Sequence, residues 1–295
     1  MLMRPDPPLS DAPLPMQQSP GFARALTSMG HDAGIVALGC VGQVLVVTRA
    51  LPLVGPVRFA SRGPVFRAGS SLYDRVDALR AARLHLVNAG APGDAVALRR
   101  AGFVAVLTPA TVAMLPLCDD PDAQLAASHP KWRHAARRGL RARLRITAAP
   151  FDARRDGWLL TADLTQQRIK RFRALPHALT LAFAHANPGD AIMLTARDDT
   201  PARGPVAAML ILRHGALATY QIGWSDDRGR ATCAHHVLLL DATRRLAAAG
   251  VRTLDLGTLD TDASPGLARF KLGSGAAAQP LGGTWARVPG WQGWR

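Results

Sequence analysis

Short apolar segments and stretches of helical spacing alternate along this chain, and Gly or Pro divides nearly every one from the next. Strand-like pattern, with Val, Ile and Thr recurring, runs over Ile35 to Val41, Gln43 to Thr48 and Val57 to Ser61. Asp74 to Arg83 then carries Val76, Leu79 and Ala82 at helical spacing, and Leu84 to Asn88 alternates like a strand. A short helix over Asp94 to Gly102, closed by its glycine, leads to a strand over Phe103 to Leu107. Such a sequence excludes an all-helical bundle and an all-β sandwich, and points to a mixed α/β (α+β) fold.

The same order returns further on. A basic amphipathic stretch, Asp119 to Arg143, reads as a long helix interruptible at Pro130, with Trp132, Ala136 and Leu140 on one stripe. Leu144 to Ala148 reads as a strand, Thr165 to Arg173 and Leu179 to His185 as helices. Three antiparallel strands follow, over Ala191 to Arg197, Val206 to Arg213 and Leu217 to Trp224, joined by turn-rich segments. Ala231 to Ala249 is the clearest helix, with Val237, Leu240, Ala242 and Leu246 inward and Gly250 closing it. A strand over Thr253 to Leu259, a helix over Ser264 to Phe270 and a strand over Pro280 to Ala286 complete the half. Hairpin strands, helix, strand, short helix and strand thus occur twice, which reads as an internal duplication. At 295 residues the chain has room for two cores. The expected division is a flexible Pro-rich leader over 1–20, a first domain over 21–118 and a second over 119–295.

A hydrophobic fraction of 48% with 19% charged residues belongs to a globular protein. The longest apolar stretch, Gly34 to Val47, holds Gln43 and is too short to span a bilayer, so no transmembrane segment is expected. The leader lacks the charged and apolar regions of a signal peptide. Cys40, Cys118 and Cys233 have no CxxC spacing, which fits a reducing cytoplasm and argues against a zinc ribbon or disulfide framework. The net charge of +15 suits an anionic ligand such as coenzyme A, RNA or a lipid headgroup. Against that, only Lys131, Lys170 and Lys271 are lysines, and an excess of arginine and alanine is what a GC-rich bacterial genome produces unaided.

Four segments carry a resemblance. The basic helix Trp132 to Arg141, the strand Ala218 to Gly223, the helix His236 to Gly250, and Leu254 to Gly257 with Gly266 to Gly273 resemble, in order and spacing, the FemAB-like branch of the GNAT acyltransferases. The likeness spans about Ser128 to Trp285, and the first half looks like the degenerate partner domain of such proteins. It implies two tandem GNAT-like domains, each a mixed, mainly antiparallel sheet flanked by helices. It also implies N-acyl transfer to a small-molecule or peptide amine. The donor implied is acyl-CoA, acetyl-CoA included, as co-substrate; other members of the group take an aminoacyl group from tRNA, and a non-catalytic phosphate- or RNA-binding protein of the same fold is the remaining alternative.

The resemblance also assigns candidate residues. Arg228, Gly229, Arg230, Ala231 and Thr232 lie where the GNAT pyrophosphate loop meets the head of the central helix, though the glycine-rich tract is incomplete. Backbone N–H groups, the helix dipole and two guanidinium groups can hold phosphate there; a solvated turn capped by Thr232 is the alternative. The Tyr220 to Gly223 strand, with Ile222 and Gly223 as donor-binding backbone, is placed to polarise an acyl carbonyl. Tyr220 can protonate a leaving group or be an ordinary strand aromatic. Lys271, in Arg269-Phe270-Lys271, matches the family's lysine and can stabilise an oxyanion, or it is surface charge. Asp255 can act as a base or hold the amine, or serve a backbone amide. Cys233 is a nucleophile only with a positioned base, for which His235 and His236 are neighbours; those two histidines face different ways, and no metal site is expected.

Overall fold

A computed structural model describes residues 13–52, 54–170, 172, 174–199 and 204–287. In chain order its elements begin with α1 (Pro20–Ser28), β1 (Asp32–Ala37), β2 (Gly42–Leu51), β3 (Gly55–Ser61), β4 (Val65–Phe66) and α2 (Leu72–Ala81). Next come β5 (Leu86–Ala89), α3 (Ala95–Arg100), β6 (Phe103–Leu107), β7 (Thr111–Pro116), α4 (Pro121–Ala126), α5 (Pro130–Arg141), β8 (Arg145–Pro150), α6 (Ala153–Lys170) and α7 (His177–Ala186). The remainder is β9 (Ala191–Arg197), β10 (Ala207–Arg213), β11 (Leu217–Ser225), α8 (Asp227–Ala231), α9 (Ala234–Ala248), β12 (Thr253–Thr258), α10 (Pro265–Gly273), β13 (Ala277–Pro280) and β14 (Gly283–Arg287). The fold is α/β, with two mainly antiparallel sheets, each flanked by helices.

The chain forms two compact units, residues 1–111 with 280–295, and 112–279. In the first, the strands run β1-β2-β3-β5-β14-β6, with β4 beside β2. In the second, they run β13-β7-β12-β11-β10-β9-β8. Each sheet contains one parallel pair crossed by a helix: β3 and β5 across α2, and β11 and β12 across α9. Next to each parallel pair lies an antiparallel strand taken from the other half of the sequence. β7 follows β6 directly and pairs with β12, while β14 follows β13 and pairs with β5 and β6. The strand expected over Pro280 to Ala286 as the end of the second half therefore completes the first unit's sheet.

Each unit has its own core. Leu79, Leu84, Val87, Leu98 and Phe103 are buried with Trp285 of β14 in the first. In the second, β9 to β12 and α9 bury Leu194, Met209, Ile211, Leu238, Leu246 and Leu254, with Trp132 of α5 packed in. β10 is buried along nearly its whole length, as a central strand covered on both faces must be.

Several boundaries depart from the sequence pattern for local reasons. Leu14, Met16, Gln18 and Ser19 are buried, and Ser19 caps α1 by accepting from the Phe22 N–H, so the stretch read as leader is packed from Leu14 on; residues 1–12 lie outside the described residues. The basic helix is two helices, parted before Pro130, where the His129 side chain caps α5. The expected Ala231 to Ala249 helix is broken at Cys233, whose φ of 55° is left-handed. α6 begins well before Thr165, and Gly157 does not interrupt it; Arg171 and Arg173, at the end of the expected helix, lie outside the described residues. Among the described residues no helix is long and apolar enough to cross a membrane.

Trp285 shows what β14 contributes: it is 4% exposed and donates its indole N–H to Gly282 O at 2.8 Å. Trp285→Ala is expected to destabilise the first unit by about 3–5 kcal/mol. Denaturant unfolding would show the loss as a lowered midpoint, and an unchanged midpoint would mean β14 is dispensable.

Candidate active site

The site begins where two strands part. β11 and β12 pair in parallel only over Leu217 with Thr253, Ala218 with Leu254, and Thr219 with Asp255. Beyond that point both strands are pulled aside by irregularities in their other pairings. β11 slips one register against β10, so Ile211 faces Tyr220 while Leu210 faces Ile222, leaving Gln221 as the extra residue. β12 shifts against β7 between Asp255 and Thr258, and Gly257 there takes φ +80°, a conformation that favours glycine. Tyr220 is thus the first β11 residue past the last pair, and Asp255 is the last paired residue of β12.

Lys271, on α10, is 6% exposed and donates from Nζ to Thr258 O at 2.7 Å. Burial lowers its pKa to about 8, and the Asp255 carboxylate opposes the shift. Two of its three donors remain beyond the Thr258 bond. Asp255, 2% exposed, accepts the Gly257 N–H at 2.8 Å, the backbone-amide bond weighed in the sequence, while its charge also acts on Lys271. A Cβ at Gly257 would lie 3.7 Å from Nζ. Of the sequence-derived candidates, Lys271 and Asp255 are therefore brought together beside the parting strands.

Tyr220 directs its hydroxyl to His235 Nε2, 2.9 Å away, across the α-carbon of Gly223. A Cβ at residue 223 would sit 1.6 Å from that hydroxyl oxygen, so the glycine is a steric requirement of the Tyr220 rotamer. Burial raises the Tyr220 pKa, and Asp163 adds to the shift, keeping the phenol protonated. The Gly223 carbonyl accepts from Gln166 Nε2 at 3.1 Å, and Gln221 donates to Thr180, which ties this face of β11 to α6 and α7. One turn back on α6, the buried Asp163 carboxylate bonds Gln167 and, at 2.8 Å, His177.

An aromatic cluster links Tyr220 to Lys271. The Phe270 ring meets His235 at 5.5 Å and His236 at 5.1 Å, both edge-on, and Trp132 lies 5.0 Å from His236. Burial lowers both histidines to about 4, with each further depressed by a neighbouring positive group, His236 for His235 and Arg138 for His236. Both imidazoles are neutral at pH 7. Arg138 also donates to Cys233 Sγ at 2.7 Å, and the close approach of α5 to the head of α9 needs Gly139, whose Cβ would lie 2.6 Å from Val237. Cys233 is thus a buried thiol beside a guanidinium; His235 bonds Tyr220, and no bond from either histidine to the sulfur accompanies it. Among the described residues no cluster suited to a metal ion occurs.

The segment expected to hold pyrophosphate is folded differently. Arg228 to Ala231 lie within the one-turn α8, capped by Asp226, which accepts the Gly229 N–H at 2.7 Å. The Arg230, Thr232 and Cys233 N–H groups go to the carbonyls of Asp226, Arg228 and Arg230. Arg228 pairs with Asp198 at 2.5 Å, and Arg230 with Asp227 and the Ser225 carbonyl. Thr232 directs its hydroxyl back to Arg228 O. Gly229 is required because Val206 O would lie 2.2 Å from a Cβ there. As folded, the Gly229, Arg230, Thr232 and Cys233 N–H groups are bonded within the turn, and both guanidinium groups already pair with aspartates, so fewer donors face outward than in an open phosphate loop. Ile222 is buried on β11 beside Gly223, away from that turn.

The second unit thus contains a β-α-β unit whose parallel strands diverge, with a buried lysine on the next helix. Residues 126–272 match the family model described as Acetyltransferase (GNAT) domain. The crystal structure of FemX superposes with a TM-score of 0.75 at 16% identity, covering 95% of this chain and 93% of that one. The fold is that of a FemAB-like GNAT protein. Its tandem GNAT-like domains also superpose on the C-terminal domain of a putative lysylphosphatidylglycerol synthetase from Agrobacterium fabrum, with a TM-score of 0.54, 15% identity, and 92% and 89% coverage. The structure of L-PGS from Bacillus licheniformis gives 0.52 at 12% identity, with 93% coverage of each chain. At these identities the likeness is one of fold. Among curated proteins none matches this sequence.

Sequence reasoning named Tyr220, Asp255 and Lys271 as candidates; it did not foresee the bond between Tyr220 and His235, nor the contacts of Asp163, Gln166 and His177 nearby. No sequence signal separates His235 from His236, its neighbour in the first turn of α9. Gly223→Ala is expected to expel the Tyr220 phenol and break its bond to His235, while leaving the fold intact. Tyrosine absorbance or fluorescence titration would report it as a phenol pKa returning toward 10; an unaltered titration would refute the steric argument.

The histidines predict an acid limit. Their folded pKa near 4 lies below the ordinary 6.5, so between those values the unfolded chain binds protons that the folded one does not. Their contribution is complete above pH 6.5 and is lost as pH falls toward 4. Tm is expected to drop by about 5 °C or more from pH 7 to pH 5, and a His235→Gln/His236→Gln variant to show a flatter dependence.

Proposed function

We propose that the protein transfers an acyl group to an amine, with an aminoacyl ester of tRNA as the donor. The observation that favours this donor is the turn from Asp226 to Cys233, whose backbone N–H groups are largely bonded internally and leave fewer donors for the pyrophosphate of coenzyme A than an open glycine-rich loop would. The superposition on FemX and on lysylphosphatidylglycerol synthetase domains supports aminoacyl transfer, the second by what its name says of those proteins. Acyl-CoA remains the second reading, favoured by the acetyltransferase description of the family that matches residues 126–272. A small-molecule or peptide amine is the acceptor in either case.

In this reading the acyl carbonyl lies between the parted ends of β11 and β12. The amine nitrogen attacks the carbonyl carbon, and the carbonyl oxygen takes up negative charge. Lys271 Nζ, cationic at pH 7 and held by Thr258, stabilises that oxyanion with its remaining N–H donors. That attack forms the C–N bond; collapse of the oxyanion re-forms the carbonyl and breaks the bond from carbonyl carbon to the ribose oxygen. The amine gives up one proton and the departing oxygen gains one, and Tyr220, kept protonated by its surroundings, is the donor placed for the leaving oxygen. Asp255 fixes Lys271 electrostatically and orients the approaching ammonium before it loses its proton. Ile222 and Gly223 supply β11 backbone to the donor, and Arg228 to Thr232 brace the strand end. The enzyme works where its donor is made, in the cytoplasm.

Lys271→Ala is expected to lower turnover more than tenfold with the fold intact, measured by transfer of a radiolabelled aminoacyl group from a charged tRNA pool to an amine panel. An undiminished rate would remove Lys271 from the site. Transfer from acetyl-CoA, with none from charged tRNA, would replace this donor with the second reading.

A further inference from the structure

Between Asp122 and Asp152 the sequence has no acidic residue, yet it holds seven cations: Lys131, Arg133, Arg137, Arg138, Arg141, Arg143 and Arg145. Elsewhere in the second unit many arginines have acidic partners. Arg155, Arg213, Arg228, Arg230, Arg244 and Arg245 each pair with an aspartate. Among the described residues none of the seven does. Arg133 donates to the carbonyls of Ala126 and Ser128, and Arg138 to Cys233; the others lie exposed on the outer face of α5 and along the start of β8. Two arginines in the last turn of α5 offset its dipole, which leaves most of the run unexplained by the helix itself. Arg145 even stands directly opposite Arg197 across the β8–β9 pair, a like-charge placement that disfavours the sheet.

A genome rich in arginine codons scatters the residue; it does not exclude carboxylates from one surface while pairing them elsewhere. Such a surface suits an extended polyanion. α5, at 12 residues, is about 18 Å long, which matches about five phosphates of one nucleic-acid strand. Guanidinium groups suit phosphate oxygens through paired N–H donors. A lipid surface fits less well: interfacial helices insert an apolar face, and here Trp132, Ala136 and Gly139 are buried in the protein, leaving Leu140 as the one large apolar residue exposed on α5. The same inner face packs on Phe270 and His236, so the cationic surface backs directly onto the site's aromatic cluster.

We propose that the outer face of α5 and the adjoining start of β8 form a docking surface for the phosphodiester backbone of RNA. The proposal deepens the reading of an RNA-borne donor and rests on it, assigning the contact that holds the carrier apart from its reacting end.

The test uses the full chain, uncharged tRNA and filter binding from 50 to 200 mM salt. Arg137→Glu/Arg141→Glu/Arg145→Glu is expected to weaken binding at least tenfold and to reduce the slope of log K against log salt by about 2–3. The corresponding triple lysine variant should retain the slope, and a triple alanine variant should lower it by about 2–3 with the fold verified by circular dichroism. Unchanged affinity and slope in the alanine variant would overturn the proposal. So would loss of binding to phosphatidylglycerol vesicles with RNA affinity intact, which would assign the surface to a membrane. Failure of the donor reading is separable: transfer from acyl-CoA alone, with RNA still bound through α5, would sink the donor and leave the surface standing. Undiminished transfer from charged tRNA by the triple variant would do the reverse.

Discussion

Everything at the candidate site depends on the parting of β11 from β12 after Thr219 and Asp255. Two paired strands present no free edge and no gap, so a sheet interior can admit a ligand only where the pairing stops. Here it stops because each strand is tied to its outer neighbour in a register that turns it away: the extra residue Gln221 on one side, and the left-handed Gly257 on the other. The chemistry-bearing residues then follow from position alone. Tyr220 is the first residue past the last pair, Asp255 the last within it, and the carbonyl of Thr258 anchors Lys271 where β12 ends.

The opening is kept in shape by packing that tolerates little change. Gly223 and Gly139 are places where a methyl group would strike a phenol oxygen or a neighbouring helix. The site holds two neutral imidazoles, a protonated phenol and a lysine softened to about 8, four groups whose pKa values are displaced in the direction that desolvation dictates. Of the four only the lysine carries charge at neutral pH, and the Asp255 carboxylate favours that charge.

Local periodicity revealed the elements where sequence neighbours decide the conformation. The strands from Ala191 to Trp224 and the core of α9 follow their apolar spacing, and Lys271 stood out as one of three lysines. Features set by distant partners were hidden. Cys233 breaks a helix that its neighbours would continue, because α5 and Arg138 pack against that turn. The Arg228 to Thr232 segment has the composition of a phosphate loop, but Asp226 accepts its Gly229 N–H and the distant Asp198 pairs with its Arg228. His235 acquires its partner only when β11 and α9 are folded together, and nothing in its sequence neighbourhood distinguishes it from His236.

The exchange of β7 and β14 between the sheets has a consequence in time. A ribosome delivers the chain from its N-terminus, and domains ordinarily fold as they emerge. The first unit cannot do so here, because the strand between β5 and β6 is synthesised after the whole of the second unit. Val87, Phe103 and their neighbours must wait with one flank open while some 170 further residues are made and folded. The second unit, whose borrowed strand β7 precedes it, can close first. The order of folding thus runs against the order of synthesis, and the half that carries the candidate site becomes the half that matures early.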